Sequence, residues 1–184
     1  MTSSMEIKEK AANKTIWFIG GTGLIGRHLI TALCQRGHHI ISLARRPSGQ
    51  THPRLSEFHI DFEALTEQGH ATLPELPKPD ALISTLGTTL KKAGSKTAFH
   101  HVDHDYVAAF AKAGHSKGAQ HMLMVSSIGA NRHANGFYLR VKGECEETIR
   151  SFGFPRLDIF RPGLLLGARE EYRRGEHLAS LIVP

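Results

Sequence analysis

Tyr138 and Lys142 are the residues whose types and spacing point most directly to chemistry. They lie four positions apart in a stretch predicted to be helical, so their side chains share one helix face. A lysine ammonium beside a phenol favours the phenolate and lowers the pKa of the tyrosine from about 10. Such a tyrosine can donate a proton to a carbonyl oxygen or take one from an alcohol. The pair therefore predicts acid–base catalysis, and the alternative is an exposed helix pair with no chemical role.

Two serines precede this pair at the end of a predicted strand. Ser126 and Ser127 stand 12 and 11 residues before Tyr138, where the apolar run 121–126 ends. Ligands of open α/β sheets bind at the carboxyl ends of the strands, where a hydroxyl can orient a substrate carbonyl. Both serines therefore join the candidate catalytic group, with a strand-to-loop cap as the alternative interpretation.

A glycine-rich turn follows the first predicted strand. The β-forming run 15–19 ends at Gly20, and Gly20, Gly23 and Gly26 then recur every three residues before a predicted helix. In dinucleotide-binding turns the first glycine permits the tight turn, the second admits a pyrophosphate, and the third lets helix and strand pack closely. The helix N-terminus adds unpaired N–H groups and a positive dipole. The predicted cofactor contacts at this turn are Gly20, Thr22, Gly23, Leu24, Ile25 and Gly26.

The end of the second predicted strand indicates which nucleotide binds. An NAD-preferring site places an acidic residue there to bond the ribose hydroxyls, whereas this chain has Arg45 and Arg46. Two guanidinium groups can bind a 2′-phosphate through charge-assisted hydrogen bonds. The sequence therefore predicts NADP(H), with a solvated basic turn as the alternative. Asp61, after the third strand, is a candidate for the adenine side of the site and could equally be a helix cap.

The elements that must position these residues alternate between strand and helix. Strands are predicted over residues 15–19, 39–44, 58–60, 81–86, 121–126 and 157–160, and helices over residues 24–36, 99–113 and 138–150. This alternation predicts an α/β fold of the Rossmann type, a doubly wound parallel sheet with helices on both faces. Residues 1–14 are predicted to form a flexible N-terminal tail, and residues 15–184 a single NAD(P)-binding domain.

The order of these motifs resembles the short-chain dehydrogenase/reductase superfamily in its atypical branch. Closer still, the chain resembles the Tat-interacting-protein-like oxidoreductases. The segments that carry the resemblance are residues 20–26, 45–46, 86–89, 92–94, 102–103, 105–107, 126–127, 138–139, 141–144, 161–163, 173 and 175–176. They cover nearly the whole chain from residue 15 onward.

The resemblance implies that Tyr138 and Lys142 are catalytic and also contact the cofactor, with Ser127 or Ser126 assisting. Further cofactor contacts implied by the resemblance are Leu86, Gly87, Thr88, Leu165 and Arg173. Standard members complete a catalytic tetrad with an asparagine, and this chain has Asp103 where that residue is expected. Relatives also continue past the position of Pro184 with segments that help close the substrate cleft. Either a reduced, open cleft or a truncated chain is therefore expected.

Three histidines, His100, His101 and His104, lie on one predicted helix. His100 and His104 are four residues apart, a spacing that can bind zinc, but the sequence shows no third ligand nearby. A solvated helix face is the favoured interpretation, so no metal is predicted.

Composition excludes several classes of protein and of partner. The net charge is +6, but the basic residues are scattered rather than interleaved with aromatic residues, so no nucleic-acid partner is expected. No run of apolar residues is long enough to span a membrane, and the N-terminus lacks the apolar stretch of a signal peptide. The two cysteines, Cys34 and Cys145, are expected to be small structural residues. A cytoplasmic location follows as the expectation.

Two functions of different classes remain open from the sequence. The first is an NADPH-dependent oxidoreductase that moves hydride to or from a small carbonyl or alcohol substrate, with Tyr138 as acid and base. The second is an NADPH-binding regulatory or sensor module with little or no turnover. A small-molecule substrate is expected in the first case, and a homodimer or a regulatory protein partner is a further option. Nucleotide-sugar epimerisation is disfavoured, because it usually needs a larger C-terminal substrate domain.

Overall fold

The computed structural model describes residues 13–163, and its centre is a parallel sheet of six strands. In chain order the strands are β1 Thr15–Ile19, β2 His39–Ala44, β3 Leu55–His59, β4 Ala81–Ser84, β5 His121–Val125 and β6 Arg156–Phe160. They lie in the order β3-β2-β1-β4-β5-β6, and every neighbouring pair is parallel. The chain starts in the middle of the sheet and winds outwards on both sides, which confirms the predicted Rossmann-type fold.

Helices connect the strands. They are α1 Leu24–Gln35, α2 Phe62–Gln68, α3 Leu90–Ala93, α4 Lys96–His100, α5 Tyr106–Ser116 and α6 Phe137–Ser151. A 3-10 turn, Gly69–Thr72, follows α2, and a π-helical turn, His101–Asp105, joins α4 to α5. Within residues 13–163, none of these helices is both long and apolar enough to cross a membrane.

The structure corrects several boundaries predicted from the sequence. The predicted helix over residues 99–113 is present, but it starts earlier, ends later and contains the π-helical turn. Helices α2 and α3 were not predicted, because seven and four residues are too few to show a helical period. Strand β3 begins at Leu55 rather than at residue 58, since an edge strand can carry the polar Ser56 and Glu57. Strand β4 ends at Ser84, before the predicted residue 86.

Alternation along β1 builds a core on both faces of the sheet. Trp17 and Ile19 belong to the cluster on one face, together with side chains of α5 and α6. Ile16 and Phe18 belong to the cluster on the other face, together with Ile30 of α1. All four β1 side chains are buried, as a central strand with helices on both sides requires.

Both cysteines are free and buried, which agrees with their predicted structural role. Cys145 lies inside α6, and burial raises the pKa of its thiol to about 12. A thiol held in that state is a poor nucleophile.

Because all six strands run in one direction, their carboxyl ends meet at a single edge of the sheet. The segments after β1, β4 and β5 begin there at Gly20, Thr85 and Ser126. These three segments lead into the glycine turn, the residues 86–88 and the candidate catalytic residues, whereas Arg45 and Arg46 follow β2 and Asp61 follows β3.

Candidate functional site

The glycine turn after β1 is shaped by close backbone contacts. Gly20 has a φ of +86°, and a Cβ there would collide with the backbone of Thr85 and Leu86. A Cβ on Gly26 would collide with the carbonyl of Gly20. The N–H of Gly23 donates to the Gly20 carbonyl oxygen at 3.1 Å, which closes the turn. The first and third glycines are thus required by the fold itself.

Gly23 differs from its two neighbours in the motif. The nearest atom that a Cβ there would meet is the Gly20 carbonyl oxygen at 3.4 Å, which is an ordinary van der Waals contact. Gly23 is also the N-cap of α1, where it offers no side-chain cap, and the first turn contains no acidic residue. The N–H groups of this first turn lack helical acceptors and can bind an anion. Half-buried Thr22, Leu24 and Ile25 line the turn, so these residues fit a dinucleotide pyrophosphate.

Arg45 and Arg46 follow the end of β2, next to the strand that feeds the glycine turn. Both are exposed to solvent. Arg45 lies close enough to Glu63 to lower the pKa of that carboxyl, after the larger effects of hydrogen bonds from Tyr106 and His101. The two guanidinium groups are therefore placed beside the end of the sheet where a nucleotide ribose would lie.

Asp61 acts as the N-cap of α2. Its carboxylate accepts hydrogen bonds from the backbone N–H groups of Glu63 at 2.9 Å and Ala64 at 3.3 Å. The helix-cap interpretation of this residue is confirmed, and its contact with an adenine remains a prediction.

The segment after β4 connects the glycine turn to the helices. Thr85 donates its hydroxyl to the Gly20 carbonyl oxygen at 3.0 Å, and the N–H of Thr88 donates to Asp103 Oδ2 at 2.7 Å. A Cβ on Gly87 would lie 3.2 Å from Asp103 Oδ1 and 3.6 Å from Lys142 Nζ. The main chain at Gly87 thus passes directly beside both charged groups.

Asp103 and Lys142 form a buried ion pair at this point. Asp103 Oδ1 lies 2.8 Å from Lys142 Nζ, and the side chains are 1% and 6% exposed. Burial alone would lower the pKa of Lys142, but the Asp103 carboxylate and Tyr138 outweigh it, so the pKa lies above its usual value. Lys142 is therefore a fixed positive charge, held by the Asp103 carboxylate.

Tyr138 lies in the first turn of α6 and is half-buried. Its ring packs edge-on against that of Phe99, with 5.9 Å between the centroids. Tyr138 also contributes, after Asp103, to raising the pKa of Lys142. Both residues lie on α6, four positions apart, so the helix that was predicted to carry them is present.

The two serines after β5 have different surroundings. Ser126 is buried and contributes with Arg161 to lowering the pKa of Glu146 against the opposing effect of burial, but its Oγ has no hydrogen-bond partner among the described residues. Ser127 is half-buried, and its hydroxyl donates to the carbonyl oxygen of Ile128 at 3.3 Å. Of the two, Ser127 is the more accessible to a substrate.

Two predicted contacts, Leu165 and Arg173, lie outside the described residues. Sequence reasoning missed one charged group entirely: Glu146, which is buried and binds the guanidinium groups of Arg150 and Arg161. Its i to i+4 spacing from Arg150 was visible in the sequence, but its contact with Arg161 joins α6 to the end of β6.

Comparison with known proteins identifies the family. Residues 20–174 match the family described as NAD(P)H-binding. The chain belongs to this family. Rat Protein HTATIP2 is 34% identical over 177 residues, which is 92% of this chain and 70% of that protein. The mitochondrial protein fmp52 of Emericella nidulans is 36% identical over 165 residues, covering 88% of this chain and 71% of the relative.

Solved structures agree on the fold. The Bordetella bronchiseptica enzyme WbmH, in complex with NAD+, has a TM-score of 0.69 at 17% identity, covering 91% of this chain and 63% of WbmH. The human epimerase family protein SDR39U1 with NADPH has a TM-score of 0.61 at 20% identity, covering 90% of this chain and 58% of its own. The chain thus spans less than two thirds of these structures, and at such identities the likeness concerns the fold. These structures therefore confirm the Rossmann-type fold, while membership of the NAD(P)H-binding family rests on the match over residues 20–174.

Proposed function

We propose that this member of the NAD(P)H-binding family is an NADP(H)-dependent oxidoreductase acting on a small carbonyl or alcohol. The observation that carries the proposal is the position of Gly87. Its main chain lies beside Lys142 Nζ and Asp103, while the neighbouring Thr85 is bonded to Gly20 of the glycine turn. A nucleotide-binding turn and a charged catalytic helix therefore meet at one edge of the sheet.

The cofactor is bound mainly by backbone and by cations. The N–H groups at the start of α1 bind the pyrophosphate, and Gly23 leaves the space that the phosphates need. Arg45 and Arg46 bind the 2′-phosphate that distinguishes NADP(H) from NAD(H). When bound, the nicotinamide supplies or accepts the hydride.

The side chains of this chain handle the proton. Tyr138 donates its phenolic proton to the carbonyl oxygen in reduction and takes it back in oxidation. The charged Lys142 stabilises the phenolate that remains, and Asp103 fixes the position of Lys142. The Ser127 hydroxyl, turned from the Ile128 carbonyl, donates a hydrogen bond to the same substrate oxygen.

The substitution Tyr138→Phe tests this mechanism. It removes only the proton donor, so turnover of NADPH with an aldehyde or ketone should fall by about a hundredfold or more. NADPH binding, followed by the fluorescence of the cofactor, should stay near the wild-type value. Tyr106→Phe is the matched control, because the Tyr106 hydroxyl donates to Glu63 and not to a residue of the proposed catalytic group. Retained turnover in the Tyr138 variant, with Tyr106→Phe also active, would contradict the assignment.

A second candidate is an NADP(H)-binding sensor with little turnover, and Asp103 favours it. The carboxylate keeps the Lys142 ammonium paired inside the protein, which competes with a role for the ammonium on a ribose hydroxyl. Such a module would bind NADPH tightly, use its occupancy to hold a conformation for a protein partner, and oxidise NADPH with none of the carbonyls offered. Homodimerisation and a cytoplasmic location belong to the same set of proposals, and the name of the fungal relative fmp52 places that protein in mitochondria.

A further inference from the structure

We infer that His100, His104 and Asp105 form a binding site for a divalent transition-metal ion, with Zn2+ as the best fit. The three residues lie where α4, the π-helical turn and α5 meet. Their ligand atoms all lie within 4.8 Å of one another, and each side chain is partly open to solvent. Two imidazoles and one carboxylate are a donor set that suits zinc.

The distances between the donors approach those of a metal site. Asp105 Oδ1 lies 2.7 Å from His104 Nδ1 and 3.5 Å from His100 Nδ1, and the two imidazole centroids are 4.6 Å apart. Zinc bonds of about 2.1 Å put neighbouring tetrahedral ligands roughly 3.4 Å apart. Metal binding would then require the distance between His104 Nδ1 and Asp105 Oδ1 to widen from 2.7 Å to about 3.4 Å. One carboxylate oxygen facing two imidazole nitrogens is an arrangement that a cation between them would satisfy.

The side-chain atoms of these three residues that would not bind the metal also have partners nearby. His104 Nε2 lies 2.9 Å from Thr148 Oγ1, and His100 Nε2 lies 3.5 Å from Glu144 Oε2, both on α6. The second oxygen of Asp105 lies 2.7 Å from His101 Nδ1. Metal-binding histidines usually donate their other ring N–H to such an acceptor, which fixes the ring and the tautomer. His104 and Asp105 therefore have hydrogen-bonded outer support already in place, and Glu144 lies at ion-pair distance from His100.

The π-helical turn explains why the third ligand was not predicted from the sequence. On a regular α-helix, adjacent residues point in different directions, so His104 and Asp105 would not face the same ligand. Within the turn His101–Asp105, Asp103 points to Lys142 while His104 and Asp105 lie together. Turns of this kind are often found at functional sites. Three protein ligands also leave one zinc position for water or another ligand.

Titration of the metal-free full-length protein with ZnCl2 by calorimetry tests the inference, with Co2+ as a spectroscopic probe. We expect one saturable site and the visible absorption of tetrahedral Co2+. His100→Gln and Asp105→Asn should each lose the Co2+ signal and weaken Zn2+ binding by at least about tenfold, as loss of a direct ligand must cost no less than loss of its support. His133→Gln, at an exposed histidine outside the cluster, is the control and should bind like wild type.

A third variant separates a built site from scattered histidines. Thr148→Val keeps all three ligands and removes only the hydrogen bond to His104 Nε2, so Zn2+ should bind about tenfold more weakly with unchanged stoichiometry. Circular dichroism of each variant confirms that it folds. The inference is wrong if no saturable site exists, or if folded His100→Gln and Asp105→Asn bind Zn2+ as wild type does. NADPH binding, measured separately, reports on the proposed function and is not needed for either result.

Discussion

The two halves of the sheet edge use different parts of the chain. On the side of β1, α1 and β2, the surface offered to a ligand is main chain, with Gly23 exposed to solvent and the N–H groups at the start of α1 without a side-chain cap. On the side of α4, α5 and α6, the same edge offers ionised side chains, and its centre is the buried pair of Asp103 and Lys142. One half is suited to hold phosphates, and the other to hold and move a proton.

This difference determines which substitutions would impair folding or ligand binding in each half. The backbone half depends on the absence of side chains, so adding one methyl group either strains the fold or blocks the ligand. The charged half depends on compensation, so removing one partner leaves a buried charge alone.

Lys142→Met should give the largest loss of stability. It leaves the Asp103 carboxylate buried without its cation, which should lower the free energy of unfolding by about 3–5 kcal/mol in urea titrations. The double variant Asp103→Asn/Lys142→Met removes both charges and keeps a carbonyl acceptor for the N–H of Thr88, so it should recover part of the loss. If the single and double variants have the same free energy of unfolding, charge compensation between Asp103 and Lys142 does not stabilise this half of the sheet edge.

Gly20→Ala should come next. A residue at φ +86° is strained, and its Cβ would collide with the backbone after β4, so a loss of at least about 2 kcal/mol is expected. Gly49→Ala is the control, because Gly49 has a φ of +76° and nothing within 4 Å. The excess loss at Gly20, measured by urea unfolding, is the contribution of the collision. If the two variants lose the same free energy of unfolding, backbone strain alone explains the need for glycine at position 20, and the collision contributes nothing.

Gly23→Ala should separate binding from folding. Its Cβ has room in the protein, so stability should change by less than about 0.5 kcal/mol. The same methyl group occupies the space assigned to the pyrophosphate, so NADPH should bind at least about tenfold more weakly, or about 1.4 kcal/mol. Gly136→Ala, the N-cap of α6 with nothing within 4 Å, should leave binding unchanged. If Gly23→Ala bound NADPH as tightly as wild type, the proposal that this turn holds the pyrophosphate would be wrong.

Glu146 gives the smallest effect, through pH. Burial raises its pKa, but Arg161, Ser126 and Arg150 outweigh this, so the folded pKa lies below the unfolded one. Its contribution is therefore present above the ordinary glutamate range and is lost as pH falls through the folded pKa. The effect should be about 1 kcal/mol, since both arginines are half-exposed.

The matched pair Glu146→Gln and Glu147→Gln tests the pH effect. Unfolding measured from neutral to acidic pH should show a weaker pH dependence in Glu146→Gln. Glu147, whose ion pair with Arg132 is exposed, should leave the profile unchanged when substituted. An unaltered profile in Glu146→Gln would mean that this carboxylate is not stabilised by folding.

The backbone half was the more predictable from sequence, and the reason is physical. Gly20, Gly23 and Gly26 act through local backbone geometry, so their spacing alone carries the information. The fold class could be predicted from the alternation of apolar runs, because that pattern is also local in the sequence. The spacing of Tyr138 and Lys142 likewise predicted a shared helix face.

The charged half was less predictable, because its partners are distant in sequence. Asp103 and Lys142 are brought together only by the packing of two helices, and the spacing does not show that they would pair. The neighbouring positions of His104 and Asp105 depend on the π-helical turn, which no periodic pattern predicts. Ser126 and Ser127 could not be distinguished until Glu146 was placed beside one of them.

The most direct test of the central claim is a titration with NADPH and NADH of wild type and of Arg45→Ala/Arg46→Ala. The control is Arg132→Ala/Arg156→Ala, which removes the same number of positive charges. Both arginines are exposed and form ion pairs elsewhere on the protein, with Glu147 and Asp158. We predict that wild type and control bind NADPH at least about tenfold more tightly than NADH, and that the Arg45/Arg46 variant loses this preference. Failure of wild type to bind either nucleotide, or an unchanged preference in the variant, would contradict the account.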